Sequence, residues 1–201
     1  TFSSASGAKT ERVCQSGGGT GDGATLTSAV LGDCSSAGQA DFAEYYGTDG
    51  SMEAGDIVAL DAHRVAVAVN TNVGASTKAF VIPTTHAYDR GALGIVSTNP
   101  YTDVLSESAF ASEDHPKPIA LSGRVPVKVT AANGAIQPGD RIAPSNIPGV
   151  GMKATAEGVS VGIALEAYDH PEVGKITVFV NLGWNHLDTA TVAAANGAAV
   201  V

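Results

Sequence analysis

Basic side chains are scarce in this sequence of 201 residues, which has 11 lysines and arginines against 20 aspartates and glutamates and a formal net charge of −9. Proteins that bind nucleic acid need a basic surface to neutralise phosphates, and so few cations cannot build one. Long hydrophobic runs are also missing, since no segment approaches the roughly 18 to 20 consecutive apolar residues of a membrane span. The composition therefore argues against nucleic-acid binding and against a membrane span.

Motifs for metals and cofactors are equally scarce. The five histidines are scattered without HxH or HExxH spacing, no serine lies in a GxSxG context, and the Gly-rich segment GGGTGDG lacks the GK[ST] of a phosphate loop. We therefore expect no cofactor and no metal site. Calcium stays open as an alternative, because Asp22, Asp33, Asp49 and Asp56 lie in Gly-rich turns, although without the spacing of an EF-hand.

Only two cysteines are present, Cys14 and Cys34, and they lack the CxxC spacing of a zinc or redox site. A disulfide between them would close a Gly- and Ser-rich loop, and such a bond contributes about 3 kcal/mol in the chain-entropy model. That pairing would indicate an oxidising, extracellular setting. Two unpaired thiols in a cytosolic protein are the alternative.

The middle of the chain, residues 41–184, has the pattern of β-strands. Short runs rich in Val and Ile end at Gly, Pro, Asn or Asp, and none keeps a helical period of 3.6. The runs are DIVALD, RVAVAVN, KAFVIP, LGIVST, PIALSGRVPVKVT, RIAPS, GVSVGIALEAY and KITVFVNLGW. They predict an all-β domain, a compact sandwich or barrel of short strands, between a Ser- and Gly-rich arm at 1–40 and a small, apolar tail at 185–201.

The middle zone also contains an internal echo. MEAGDIVAL (52–60) is similar to IQPGDRIAP (136–144), and each is followed by a Gly-Ile strand and then by a longer strand. The Gly of each Gly-Asp turn can supply a positive φ angle. The echo suggests two related β-units that share one core.

Asp41 and Glu44 are the candidate catalytic residues, because they lie beside Phe42, Tyr45 and Tyr46. Paired carboxylates can divide acid and base roles when their surroundings separate their pKa values, and aromatic neighbours supply the burial that raises one of them. A spacing of three does not place both on one face of a strand, although a tight turn could bring them together. A solvated acidic loop before the first strand is the alternative interpretation.

ADFAEYYGTDGSMEAGDIVALD, LGIVSTNP, the long segment from PIALSGRVPVKVT to VGIALE, and KITVFVNLGW resemble the C-terminal autoprocessing domain of phage neck-appendage and tail-fibre proteins, over about residues 40–184. Similar domains end long bacterial surface proteins. The resemblance implies a β-rich fold, assembly as trimers and an intramolecular chaperone that cuts itself free. It assigns Asp41 and Glu44 to a catalytic pair.

Two functions from different classes follow. The first is a structural subunit of an extracellular fibre, filament or surface appendage, which assembles with copies of itself through its terminal arms. TATVAAANGAAVV, in the tail, would then be donated to the sheet of a neighbouring copy, with a frayed tail as the alternative. The second is a self-cleaving chaperone domain that acts once, through Asp41 and Glu44, and trimerises a phage-type fibre. The lack of a conventional catalytic cluster favours the structural subunit, at the surface of a cell or virion.

Overall fold

The computed structural model describes residues 41–64, 67–71, 74–98, 100 and 109–187, and within them the regular secondary structure is almost entirely strands. The strands are β1 (Asp41–Tyr46), β2 (Ile57–Leu60), β3 (Val67–Thr71), β4 (Gly74–Lys78), β5 (Val81–Pro83), β6 (Ala92–Val96), β7 (Lys117–Thr130), β8 (Arg141–Pro144), β9 (Gly151–Lys153), β10 (Gly158–Ala164) and β11 (Gly174–Asn185). A short 3-10 helix spans Ser112–Asp114. The predicted all-β class is confirmed. In the part of the chain so described, no helix has the length and apolarity to cross a membrane.

Nine strands form one mixed sheet in the order β11-β10-β8-β9-β7-β6-β2-β5, with β1 paired to β7 outside this path. β11 also pairs with β7, from Gly174 opposite Val129 to Val180 opposite Gly123. The strands β7, β9, β8, β10 and β11 therefore close into a ring, as in a small barrel. β3 and β4 form a separate antiparallel hairpin.

Buried aliphatic side chains form two clusters on opposite faces of β7. We call the larger one the main core, and its members come mostly from β7, β10 and β11; they include Val125, Val127, Val129, Val161, Val178 and Val180. The second core contains Met52, Val58, Val81, Val96 and Ile119. Ala120 belongs to the main core and its neighbour Ile119 to the second, because successive side chains of a strand point to opposite faces.

The two Gly-Asp turns of the sequence echo have the same local structure. Gly55 has a φ of +93° and Gly139 a φ of +95°, a left-handed conformation that favours glycine. In each turn the aspartate accepts a hydrogen bond from the backbone N–H three residues earlier, 2.8 Å from Glu53 to Asp56 and 2.7 Å from Gln137 to Asp140. One sequence pattern therefore folds into the same turn twice.

The strands that follow these turns repeat the same pairing. β2 pairs with β6 and β6 with β7, while β8 pairs with β10 and β10 with β11. The register also matches, because Val58 lies opposite Gly94 and Ile142 lies opposite Gly162, each two residues after the turn aspartate. The described chain thus contains two similar three-strand units whose longest strands, β7 and β11, pair with each other.

Candidate functional site

The candidate carboxylates lie on β1, which is a strand where the solvated alternative assumed a loop. β1 runs antiparallel to β7, with a register shift between Phe42 and Ala43. Ala43 lies opposite Ala120 of the main core, and Glu44 lies opposite Ile119 of the second core. The alternation of the strand therefore places Asp41 on the main-core face with Ala43, and Glu44 on the other face.

Asp41 is a buried carboxyl group with only 3% of its surface exposed. The Ser97 hydroxyl donates a hydrogen bond of 3.1 Å to its Oδ1. Its Oδ2 is buried and has no hydrogen-bond partner in the described structure. Burial disfavours the charged form and raises the pKa of Asp41 to about 6, although the hydrogen bond from Ser97 opposes this shift. A carboxyl with a pKa near neutrality can both donate and accept a proton.

Glu44 has a different environment on the opposite face. It is half-buried, and the Tyr46 hydroxyl donates a hydrogen bond of 3.2 Å to its Oε2. Burial, and then the charge of Glu44 and this hydrogen bond, raise the pKa of Tyr46 to about 12. Tyr46 also packs against the second core. The carboxylate of Glu44 is therefore held beside a tyrosine that keeps its proton at neutral pH.

The structure does not bring the two predicted residues together within one copy of the chain, since they lie on opposite faces of β1. It brings Asp41 to Ser97 instead, a residue that the sequence did not single out. Ser97 follows directly after β6 and shares the main-core face with Ile95 two positions earlier. Period-two spacing at the end of LGIVS was the only sequence signal for it.

The other predicted sites divide between described and undescribed residues. Cys14, Cys34, Asp22 and Asp33 lie outside the described residues, and so do the arm at 1–40 and the tail from residue 188. Asp56 accepts the Glu53 N–H and lies 2.7 Å from the ammonium group of Lys128. Asp49 accepts the backbone N–H and the hydroxyl of Ser51. Among the described residues no three His, Cys, Asp or Glu side chains cluster as a metal site would require.

Two exposed phenylalanines lie near the carboxylates, on the face of the sheet that points away from the main core. Phe42 of β1 lies opposite Ser122, and Phe179 of β11 lies opposite Arg124. Ser122 and Arg124 are two residues apart on β7, so all four side chains share one face. We call Phe42 and Phe179 the outer apolar row; they are 52% and 40% exposed. Two phenylalanines thus face solvent across three adjacent strands.

Comparison with known proteins gives a distant structural likeness. No protein-family model matches the chain, and no curated protein matches it. Among solved structures, the crystal structure of the pre-mature bacteriophage phi29 gene product 12 is similar at 16% identity and a TM-score of 0.36. The likeness covers 72% of this chain and 22% of that one, so the chain spans about a fifth of the length of that protein.

Proposed function

We propose that the chain is a structural subunit of an extracellular or virion-surface fibre, filament or appendage, and that it assembles with copies of itself through its terminal arms. The outer apolar row is the observation that carries the proposal. Large exposed apolar side chains that share a surface mark interaction sites, because water contact with them is unfavourable. Phe42 and Phe179 lie on β1 and β11, the two strands that flank β7, so a partner that crosses β7 can bury both at once.

The C-terminal tail is the proposed partner of this surface. It follows β11 directly, and its sequence TATVAAANGAAVV is small and apolar without large side chains to anchor it in its own core. An extended segment of this kind can add to the edge of β1, which pairs only with β7 among the described strands, so that its backbone supplies hydrogen bonds and its valines supply the register beside Phe42. Since each copy gives one tail and receives another, the contact is head-to-tail and propagates unless it closes into a ring.

Replacing both phenylalanines tests the role of the outer apolar row. The double variant Phe42→Ser, Phe179→Ser should remain folded and should assemble at least tenfold more weakly, because burying one phenylalanine contributes about 1.5 to 3 kcal/mol. Sedimentation of full-length chains over a range of concentrations measures the change.

Val173→Ser is the matched control for the double variant. Val173 is 48% exposed, a value between those of the two phenylalanines, and it precedes the first residue of β11. It should leave assembly unchanged. Equal assembly by the double variant and the parent would remove the outer apolar row from the contact.

Asp41 favours a second candidate function, a self-cleaving peptidase that turns over once. Its buried carboxyl has one oxygen without a partner in the described structure and a pKa of about 6. This group can take a proton from an attacking nucleophile and return it to the leaving amine. Residue 41 continues directly into the arm at 1–40, where a scissile bond would lie. Glu44 lies on the opposite face of β1, so a pair with Asp41 would need the Glu44 of a neighbouring copy.

A longer precursor tests the self-cleavage candidate. Asp41→Asn and Glu44→Gln should each leave the precursor uncut, because each removes a carboxyl group that can carry the proton, while the parent processes itself. Gel electrophoresis over time gives the result. Processing of both variants at the parental rate would exclude the carboxylates from the reaction.

A further inference from the structure

A cavity of about 570 Å³ lies on the described surface, apart from the outer apolar row. It is bounded by the loop before β6, by the turn before β10 and by Trp184 near the end of β11. Its volume falls within the range of about 300 to 1,000 Å³ that is usual for small-molecule sites. The assembly proposal makes no use of this cavity.

Hydrogen bonds join the loop before β6 to the turn before β10 and form the floor of the cavity. The Tyr88 hydroxyl accepts hydrogen bonds from the backbone N–H groups of Thr155 at 2.9 Å and Ala156 at 2.8 Å. The backbone N–H of Tyr88 donates to Pro144 at 3.0 Å. Tyr88 has a φ of +56°, which is unusual for a bulky residue, and a Cβ on Gly158 would lie 2.6 Å from its ring. The two loops are therefore joined and approach closely, an arrangement that would preorganise the floor for a ligand.

The lining carries one aromatic plane, the side chains of His86 and Asp89 at 3.6 Å from each other, and two opposite charges without a partner in the described structure. Trp184 is 40% exposed, and its indole N–H has no partner among the described residues. Arg90 and Glu157 also line the cavity and are exposed. Neither of them forms an ion pair with any described residue. The cavity thus offers an apolar ring face, several N–H donors and a carboxylate acceptor, all available to a ligand.

We propose that this cavity binds a neutral saccharide. The C–H face of a sugar ring is apolar and fits the plane of Trp184, while the hydroxyl groups around its edge both donate and accept hydrogen bonds. Glu157 would accept from two hydroxyls and Arg90 would donate to one or two, and bonds to charged groups of this kind are the stronger ones. A neutral ligand with many hydroxyls satisfies both charges, whereas an anion or a cation would satisfy only one.

Other classes of ligand fit these groups less well. A nucleic acid would be repelled, because its phosphates and this chain of net charge −9 are both negative. A hydrocarbon would leave the guanidinium and the carboxylate without partners as it covered them, which is unfavourable. A free amino acid could satisfy both charges, but it is small for a cavity of about 570 Å³. It is the competitor that the experiment must distinguish.

The fluorescence of Trp184 tests the proposal, because it is the single tryptophan of the full chain. The probes are neutral hexoses, N-acetylhexosamines and their short oligosaccharides, with free amino acids as the comparison set. At least one saccharide should change the emission in a saturable way and protect the indole from quenching by iodide. No amino acid should do so.

Variants are then compared by calorimetry with the saccharide that binds. Trp184→Ala, Arg90→Gln and Glu157→Gln should each weaken binding about tenfold or more. Trp184→Tyr, which keeps an aromatic ring, should retain most of the parental affinity. Val173→Ser, at an exposed position outside the lining of the cavity, should bind as the parent does. The proposal is overturned if no saccharide binds, if amino acids bind in preference, or if Trp184→Ala binds as tightly as the parent.

Discussion

At the scale of single residues, Asp41 gives the chain an unusual dependence of stability on pH. Its pKa is raised from 3.8 to about 6 in the folded chain, so between these values the folded chain holds more protons than the unfolded one. The free energy of unfolding should therefore fall as the pH rises from 4 to about 7. The loss is on the order of 3 kcal/mol, at roughly 1.4 kcal/mol per pKa unit.

Asp41→Asn should abolish this loss, because the amide does not ionise, and it should make the chain more stable than the parent at pH 8. Urea unfolding between pH 4 and pH 8 measures both effects. Asp49→Asn is the control with the opposite sign, since hydrogen bonds from Ser51 lower the pKa of Asp49. If the free energy of unfolding depends on pH in the same way in the parent and in Asp41→Asn, the fold does not raise the pKa of Asp41.

A substitution at Asp41 that stabilises the fold would indicate that the carboxyl is kept for another reason than stability. The sequence could single out Asp41 because acidic and aromatic residues adjoin there. It could not show that Ser97 contacts this carboxyl, since the two residues are 56 positions apart and meet only through the pairing of β1 and β6 with β7. Nor could it separate the environments of Asp41 and Glu44, which depend on the faces of β1.

At the scale of the elements, the repeated three-strand unit depends on one glycine in each copy. A Cβ on Gly94 would lie 2.5 Å from the Ala120 carbonyl oxygen, and a Cβ on Gly162 would collide with the Phe179 carbonyl oxygen. Both obstacles are backbone atoms of the next strand and cannot move aside like a flexible side chain. The two glycines therefore let each short strand approach its longer neighbour.

Gly94→Ala and Gly162→Ala should each destabilise the fold by about 1 to 3 kcal/mol or more, the usual cost of overpacking. Gly183→Ala is the matched control within a strand, because its nearest neighbour would lie 3.5 Å from the new Cβ. Thermal unfolding followed by circular dichroism separates the three variants. Similar melting temperatures for all of them would mean that the repeat does not need these close approaches.

Most strands could be predicted because they are short runs rich in Val and Ile that end at Gly, Pro, Asn or Asp. PIALSGRVPVKVT matches β7, and KITVFVNLGW matches most of β11. β1 was not predicted, because its acidic and exposed positions resemble a loop and its strand structure depends on pairing with β7. β9 has only three residues, too few for any period to show. A strand that forms because a neighbouring strand pairs with it, and not because its own residues alternate, cannot be predicted from the sequence.

At the scale of the whole molecule, the two units share one ring, since β7 and β11 pair along most of their length. The echo of the Gly-Asp turns predicted the two units, although it could not predict that their longest strands close the ring. β1 and β11 are the first and the last of the described strands, and the polypeptide continues from them toward the two arms. The disulfide between Cys14 and Cys34 stays a prediction, because both cysteines lie in the N-terminal arm.

The mass of the particle in solution tests the central claim, assembly through the terminal arms, most directly. Sedimentation equilibrium should compare the full chain with a chain that ends at Leu187, which keeps β11 and the bond from the Asn185 side chain to the Ala156 carbonyl. The account predicts that the full chain forms trimers or longer polymers and that the shortened chain is a folded monomer with an unchanged circular dichroism spectrum. A monomeric full chain, or a shortened chain that forms the same assembly, would contradict it.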